Sequence, residues 1–432
     1  MACPLDERRA HLIGEEGGAA RTAPPRFGGS FMRTIICTAA ALAVAGPACA
    51  QEIVVTPLIE ARTRYEHVEQ DGLDAAADAW TLRVRAGAEL GHGNWVALGE
   101  AQGNLALVGT YHDGLHGAAT RPLVADPQDV AIYRAQLQYR STPLTVTAGR
   151  QRIALDDERF VGNVGFRNNA QTFDAVRAVL APLKGVKLDL SYAWDVRTIW
   201  GTDGRGARQR GVGGDNLFAN LSAATPVGTL TGFAYLVDQD EQEVQGFRLA
   251  SQTYGARLAG SRALGPQAKL RYQLSWATQS DHHRNPNRYT AGYWLADATL
   301  DMRGWKLNGG YEVLGADRGA ALTSFQTPLG TNFKFQGWAD KFLTTPANGV
   351  RDFYAGGGYG WKKLGRVDAL TLQATWHRFE SDRLGQHYGD EWNLLATVQV
   401  KKAQLSARYA RYMADRLATD TSKFWLQLDW SY

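Results

Sequence analysis

The sequence predicts an all-β fold, a transmembrane antiparallel β-barrel of about 18 strands with short periplasmic turns and long extracellular loops. Apolar and polar residues alternate along many segments, which is the pattern of a strand with two different faces. No stretch after residue 50 approaches the roughly 20 consecutive apolar residues of a membrane helix. Because each strand contributes alternating residues, a barrel is compatible with an overall hydrophobic content of only 44%.

The N-terminal residues predict secretion. Arg33 precedes the apolar run 35–44, and the small residues of 46–50 follow, as in a signal peptide cleaved before Gln51. Cys49 raises the alternative of a lipoprotein anchor, but the residues before it lack the leucine usual at such a site. We therefore predict three segments: residues 1–31 as an upstream extension from a mis-set start codon, residues 32–50 as the signal peptide, and residues 51–432 as the barrel.

Cysteine and charge content exclude several function classes. Cys3, Cys37 and Cys49 all precede the predicted cleavage site, so the mature chain can form no disulfide, thiolate metal site or thiol nucleophile. The 42 basic and 39 acidic residues after residue 50 give a net charge of +3, which does not favour nucleic-acid binding. Arginine supplies 31 of these 42 basic residues, and its planar guanidinium suits carboxylate recognition.

Alternation and turn residues locate eighteen candidate strands. In the first half they span 57–67, 78–90, 95–106, 129–140, 143–150, 171–181, 184–195, 214–225 and 228–238. In the second half they span 245–259, 267–278, 289–301, 304–314, 349–361, 367–380, 388–401, 403–414 and 422–432. Short turns alternate with longer loops between them, and an even number of strands leaves both termini in the periplasm.

The last strand shows the two faces most clearly, because apolar residues at 424, 426, 428, 430 and 432 alternate with mainly polar ones. It ends on Tyr432 and resembles the closing strand of bacterial outer-membrane barrels. The second, eleventh and thirteenth strands alternate likewise, and tryptophan and tyrosine recur near strand ends, as in aromatic girdles. A soluble β-sandwich would also alternate, whereas a propeller would show a blade-length repeat that this sequence lacks.

The same parity predicts which charges face the lumen. The arginines are Arg62, Arg64, Arg83, Arg85, Arg134, Arg257, Arg271 and Arg408. The carboxylates are Glu60, Glu66, Glu100, Asp189, Glu312 and Asp429. Guanidinium groups in a water-filled channel raise the local concentration of anions, which predicts an anion path. The structural alternative is that these arginines only pair with the carboxylates and brace the wall.

Two loop segments carry a more specific signal. The first runs from Gly149 to Asp174, and the second is the connection from Gly315 to Asn348 with its motif 335–342. Together they resemble the alginate-export family of outer-membrane porins. The resemblance implies an arginine-lined constriction, narrowed by inward-folded loops, that conducts a polyuronate chain. The positions that it assigns to the motif loop and constriction are Arg150, Arg152, Asp156, Arg159, Arg167 and Asp174.

Scaffolding by salt bridges is the alternative role for each of these motif residues. Arg150 poses a particular difficulty, because alternation puts it on the face of Val146 and Ala148. A turn or bulge would have to break the parity if Arg150 is to face the lumen.

We predict a channel for anionic solutes, with an alginate-like polyuronate or another acidic saccharide as substrate. A general porin for small anions remains an alternative, and so do an outer-membrane enzyme and a structural or adhesive barrel. The eight histidines after residue 50 show no metal-binding spacing, and no serine motif of the nucleophile-elbow kind occurs. We therefore predict no cofactor and no metal. The predicted partners are outer-membrane lipid and lipopolysaccharide, the barrel-assembly machinery and, for an exporter, periplasmic export proteins, with no nucleic acid.

Overall fold

The computed structural model describes residues 52–432, in which eighteen antiparallel strands close into a barrel. Each strand pairs with its neighbours in sequence, and β1 pairs with β18 to complete the ring. The predicted fold class and strand number are confirmed. The predicted extension (1–31) and signal peptide (32–50) lie outside the described residues.

The strands of the first half are β1 Val54–Gln70, β2 Ala77–His92, β3 Trp95–Thr110, β4 Asp129–Arg140, β5 Leu144–Gln151, β6 Thr172–Leu183, β7 Val186–Arg197, β8 Gly211–Thr225 and β9 Gly228–Val237. Those of the second half are β10 Ser251–Gly265, β11 Ala268–Asp281, β12 Thr290–Met302, β13 Trp305–Leu314, β14 Val350–Leu364, β15 Val367–Glu380, β16 His387–Val400, β17 Ala403–Ala414 and β18 Thr421–Ser431. Two single-turn 3-10 helices, Gln245–Phe247 and Asn332–Lys334, lie in loops. Within residues 52–432, no helix is long and apolar enough to cross a membrane.

The outer face of the wall is apolar and carries aromatic side chains toward both rims. Leu274 in the middle of β11 is 53% exposed, as a side chain that contacts lipid should be. Trp95 and Tyr139 pack edge to face, 5.0 Å between ring centres, at the end of the barrel with the short turns. Trp276 and Trp294 lie 6.1 Å apart toward the opposite rim. These rings occupy the interfacial levels where amphipathic aromatic residues are favoured.

Loops 111–128, 152–171 and 315–349 fold into the barrel. Their apolar side chains pack against inward-facing aromatic residues of the wall, with Phe160 lying 5.0 Å from Tyr293 and 5.2 Å from Phe233 between ring centres. A β-bridge between Val161 and Leu329 joins the second of these loops to the third. Burial of apolar surface thus holds the loops inside the lumen and narrows it.

Candidate functional site

The four arginines of β1 and β2 come together on the luminal face. Arg62 lies directly opposite Arg83 in the strand register. Arg62 also faces the closing strand, where its Nε donates to Asp429 Oδ1 at 2.7 Å. Its Nη1 donates to the carbonyl of Phe166 at 3.0 Å, which places the 152–171 loop directly over this part of the wall.

Arg64 anchors the inward loops. Its side chain is 1% exposed and pairs with Asp126 of the 111–128 loop. Its Nη1 donates to the Phe166 carbonyl at 2.6 Å, and its guanidinium carbon lies 4.6 Å from the centre of the Phe166 ring. A buried guanidinium with this many partners holds two loops against the wall, and little of its charge is left for a solute.

Arg83 and Arg85 share one carboxylate, Glu60, at 3.4 and 3.5 Å. Arg85 is otherwise occupied, because its Nε donates to Gln102 at 2.7 Å and its guanidinium stacks 3.7 Å from the centre of the Tyr133 ring. Arg83 differs. It is 3% exposed, yet its Nε and Nη1 have no hydrogen-bond partner among residues 52–432. Arg83 therefore retains two buried guanidinium donors that have no hydrogen-bond partner in the described chain.

Three further predicted luminal arginines have acidic neighbours. Arg134 Nε lies 2.6 Å from a Glu100 oxygen, and Arg271 lies 2.9 Å from Asp301. Arg257 donates to Gln273 at 2.7 Å and lies within 4 Å of Asp156 and Asp157. These arginines have the local geometry of wall-bracing ion pairs.

Arg408 on β17 resembles Arg83 because some of its guanidinium N–H groups have no acceptor in the described chain. No carboxylate of the described chain lies within 4.0 Å of it, and its Nη1 donates only to Ser406 Oγ, at 3.3 Å. Its guanidinium carbon lies 5.5 Å from the Phe166 ring centre and 5.9 Å from the Trp338 ring centre, within cation–π range. Arg408, Arg62 and Arg83 thus occupy three of the four consecutive strands β17, β18, β1 and β2.

Arg150 and Asp174 pair across β5 and β6, with both Nε and Nη2 of the arginine 2.8 Å from the carboxylate oxygens. No bulge interrupts the pairing of β5 with β4 or with the segment 173–180 of β6 at this point. Side chains therefore keep alternating between the two faces, and the Arg150–Asp174 pair lies on the face opposite to the fully buried side chain of Phe173. The parity break that would bring Arg150 into the lumen is absent here, so we assign this pair to the outer face of the wall as a correction to its motif role.

The remaining motif residues lie in the inward 152–171 loop. Arg152 is exposed and has no ion pair in the described chain, whereas Asp156 accepts a hydrogen bond from Asn220 Nδ2 at 2.8 Å. Arg159 is 1% exposed and donates from Nε to Glu312 Oε1 on β13 at 2.7 Å. Arg159 therefore fixes the loop to the far wall of the barrel.

Arg167 closes the junction between loops. Its Nη2 donates to Asp340 of the 315–349 loop at 2.7 Å, and Lys423 of β18 lies 3.0 Å from the same carboxylate. Burial opposes the charge of Arg167, but Glu66, Asp340 and Asp126 around it raise its pKa above the usual value. The network ties two loops to the closing strand.

An aromatic contact supports this junction, because Phe166 stacks on Phe333 with 3.5 Å between ring centres. Alternation gives no signal for Phe166, Asp126 or Asp340, since all three lie in loops. Lys423 has luminal parity, but nothing in its own strand predicts its acidic partner.

Residues 59–202 match the family described as Alginate export. The match includes the first motif segment and does not reach the second. The fold is shared with OccK9 (OpdG) of Pseudomonas aeruginosa, which is 14% identical; the alignment covers 87% of this chain and 98% of that one, with a TM-score of 0.66. It is also shared with the outer membrane protein OpdK of Pseudomonas aeruginosa, which is 12% identical, with 88% of this chain and 98% of that one covered and a TM-score of 0.64. OccAB4 of Acinetobacter baumannii is 12% identical, with 89% of this chain and 99% of that one covered and a TM-score of 0.65. No curated protein sequence matches the chain.

The family match agrees with the resemblance predicted from the sequence and confirms it for the first motif. The closed wall, its apolar outer band and its charged lumen agree with the predicted location in the outer membrane. The chain is an 18-stranded β-barrel with the fold of the outer membrane protein OpdK, and its residues 59–202 match the Alginate export family.

Proposed function

We propose that this porin conducts anionic solutes, with an alginate-like polyuronate or another acidic saccharide as substrate. The observation that carries the proposal is the incomplete pairing of Arg83 and Arg408. Both have guanidinium donors without carboxylate partners in the described chain, and Arg62 lies on β1 between their strands.

Weak, repeated contacts suit conduction. A uronate carboxylate can exchange between neighbouring guanidinium groups, and no single contact needs to be tight enough to trap the chain. The fully paired arginines, such as Arg64 and Arg159, have a different task, because they hold the loops that narrow the path. The proposed conducting residues are therefore Arg83, Arg408 and Arg62, a smaller set than strand parity alone suggests.

A passive pathway for small anions is the second candidate. The observation that favours it is the cross-lumen fastening of the loops by Arg159 to Glu312 and by Arg167 to Asp340. A saccharide chain wider than the remaining gap would require these contacts to open, whereas a small anion would not. The same wall chemistry serves export and uptake, so partners in a periplasmic export apparatus stay a prediction.

Neither candidate requires catalysis. The part of the chain that the structure describes contains no group of three or more His, Cys, Asp or Glu residues able to hold a metal ion. We propose a transport role. Turnover of a lipid or peptide substrate, together with little ionic current across a bilayer, would instead indicate an enzyme.

Reconstitution in a planar bilayer tests the proposal. A salt gradient gives the zero-current potential and hence the ion preference, and added oligouronate gives the degree of current block. Anion preference with block by oligouronates supports the saccharide channel, and anion preference without block supports the small-anion pore. Cation preference of the parent protein would refute both.

A further inference from the structure

A cavity of about 450 Å³ lies among the long loops, on the side of the barrel away from the short turns. Loops 198–210 and 238–250 contribute to it together with the three inward-folded loops. We call this space the outer vestibule and define it by its apolar lining residues Leu123, Val164, Ile199, Val244, Leu329 and Leu343. Its volume is in the range of sites that enclose a small organic molecule, about 300 to 1,000 Å³.

Contact with lipid does not explain why the outer vestibule is apolar, because its lining residues lie mainly in loops and at luminal positions of the strands. Leu343 is 48% exposed and Leu123 is 36% exposed. Both belong to loops that also bury other apolar residues, such as Phe342 and Val124. Apolar side chains left open beside a packed loop core are a feature of ligand-binding surfaces.

Two cations on the lining lack acidic partners in the described chain. Lys341 has no carboxylate within 4.0 Å, and its Nζ meets only the side-chain oxygen of Gln70, at 3.5 Å. Arg208 donates to the Gly114 carbonyl at 2.8 Å and stacks over Trp200. Neither cation is therefore held in a salt bridge with a carboxylate of the described chain.

The other charges on the lining are already paired. Arg167 and Lys423 both contact Asp340, at 2.7 and 3.0 Å. Asp238 lies 2.8 Å from His283 Nδ1. An incoming carboxylate would consequently meet one free ammonium group, Lys341, next to an apolar wall.

We propose that the outer vestibule binds amphipathic monocarboxylates, with the carboxylate on Lys341 and an apolar ring or short acyl chain against Leu343, Leu123 and their neighbours. A polyuronate does not fit this wall, because its hydroxyl groups would lose water without gaining partners there. The site is separate from the luminal arginines and extends the range of solutes beyond acidic saccharides.

Calorimetric titration of the folded, detergent-solubilised protein with 2-naphthoate tests this site. Titration into matching empty micelles is subtracted, so that partition into detergent is not counted. Two probes isolate the two halves of the recognition, since 2-naphthamide keeps the ring without the charge and glucuronate keeps the charge without the ring. We expect 2-naphthoate to bind at least tenfold more tightly than either.

Two substitutions with matched controls locate the site. Lys341→Gln should weaken 2-naphthoate binding about tenfold, as expected for loss of a charge-assisted contact, whereas Lys184→Gln in a periplasmic turn should leave binding unchanged. Leu343→Asn should weaken it severalfold, whereas Leu384→Asn, an exposed leucine of another loop, should not.

Heat-modifiable mobility of each variant confirms that its barrel is folded before titration. Equal affinity for 2-naphthoate and 2-naphthamide, or unchanged affinity in both Lys341→Gln and Leu343→Asn, would overturn the proposal. Because binding is measured without current, this outcome is independent of whether the pore prefers anions.

Discussion

Arg159 and Glu312 form a buried ion pair that joins an inward loop to the barrel wall, with Nε 2.7 Å from Oε1 and both side chains at most 2% exposed. Glu312 also accepts hydrogen bonds from Tyr293 at 2.9 Å and from Gln336 at 3.0 Å. One carboxylate thus connects β12, β13 and both the 152–171 and 315–349 loops.

Removing the arginine alone should be more harmful than removing both charges. Arg159→Met leaves the Glu312 carboxylate buried without its counter-charge, for which a loss of about 3 to 5 kcal/mol is typical. Arg159→Met/Glu312→Gln keeps hydrogen-bonding atoms for Tyr293 and Gln336 and should recover much of that loss. Urea titration followed by tryptophan fluorescence measures the difference in unfolding free energy. A single variant as stable as the double variant would show that the pair does not secure the loop.

The free donors of Arg83 and Arg408 should set ion selectivity. Arg83→Gln/Arg408→Gln keeps polar side chains in a polar lumen, so we expect folding to persist and anion preference to fall. The fall should be largest near 0.01 M salt, where the Debye length is about 30 Å, and smaller at 0.15 M, where it is about 8 Å. Zero-current potentials measure it.

Arg177→Gln is the matched control for this selectivity change, because Arg177 already pairs with Asp189 at 2.7 Å on another part of the wall. A control that changes selectivity as much as the double variant would contradict the assignment of conduction to Arg83 and Arg408.

Barrel assembly should depend on the apolar end of β18. Trp430 is 39% exposed and Tyr432 67% exposed on the outer face, where a polar replacement is costly next to lipid. Trp430→Ser/Tyr432→Ser should therefore lower the yield of heat-modifiable barrel severalfold, with little change in the conductance of the barrels that form. Ser431→Asn, between them in sequence and on the opposite face, should assemble normally. Normal yield from the double variant would argue against the assigned lipid face.

Binding in the outer vestibule should weaken at alkaline pH. Burial, together with the nearby charge of Lys423, lowers the pKa of Lys341 to about 8, although Glu391 and Asp340 oppose the change. Lys341 is charged below this pKa and neutral above it, so affinity for 2-naphthoate should be full near pH 7 and fall as the pH rises from 8 to 9.5. Affinity that stays constant to pH 9.5 would exclude Lys341 as the carboxylate partner.

Strand parity predicts the lumen well where the chain is regular. Each of the six predicted luminal carboxylates lies within 4 Å of an arginine, as Glu60 does with Arg83 and Glu100 with Arg134. Strand parity does not predict which arginines are held in ion pairs and which keep unpaired donors. The acidic partners that make this difference, such as Asp126 for Arg64, lie in loops that have no periodic pattern. Replacing Arg64 would therefore disturb a loop as well as remove a charge.

The largest shift of a strand is in β10. The sequence predicts residues 245–259, whereas the strand runs from Ser251 to Gly265 after a 3-10 turn at Gln245–Phe247. Its last residues include Gly260, Ser261 and Gly265, which have little strand preference of their own. Pairing with β11 holds them in the sheet, for example Ser261 opposite Arg271. Tertiary pairing here overrides local preference.

The closure of the ring by β1 and β18 has a consequence for biogenesis. Arg62 of β1 and Asp429 of β18 form a hydrogen bond across 367 positions of the chain. The free edge of β1, the first strand to be synthesised, is therefore covered only after β18, the last strand, has been made. A chain interrupted anywhere between them keeps two open sheet edges, which invite aggregation and proteolysis. Only a polypeptide that contains both β1 and β18 can close the barrel. Prematurely terminated chains therefore keep exposed sheet edges, which favour their degradation.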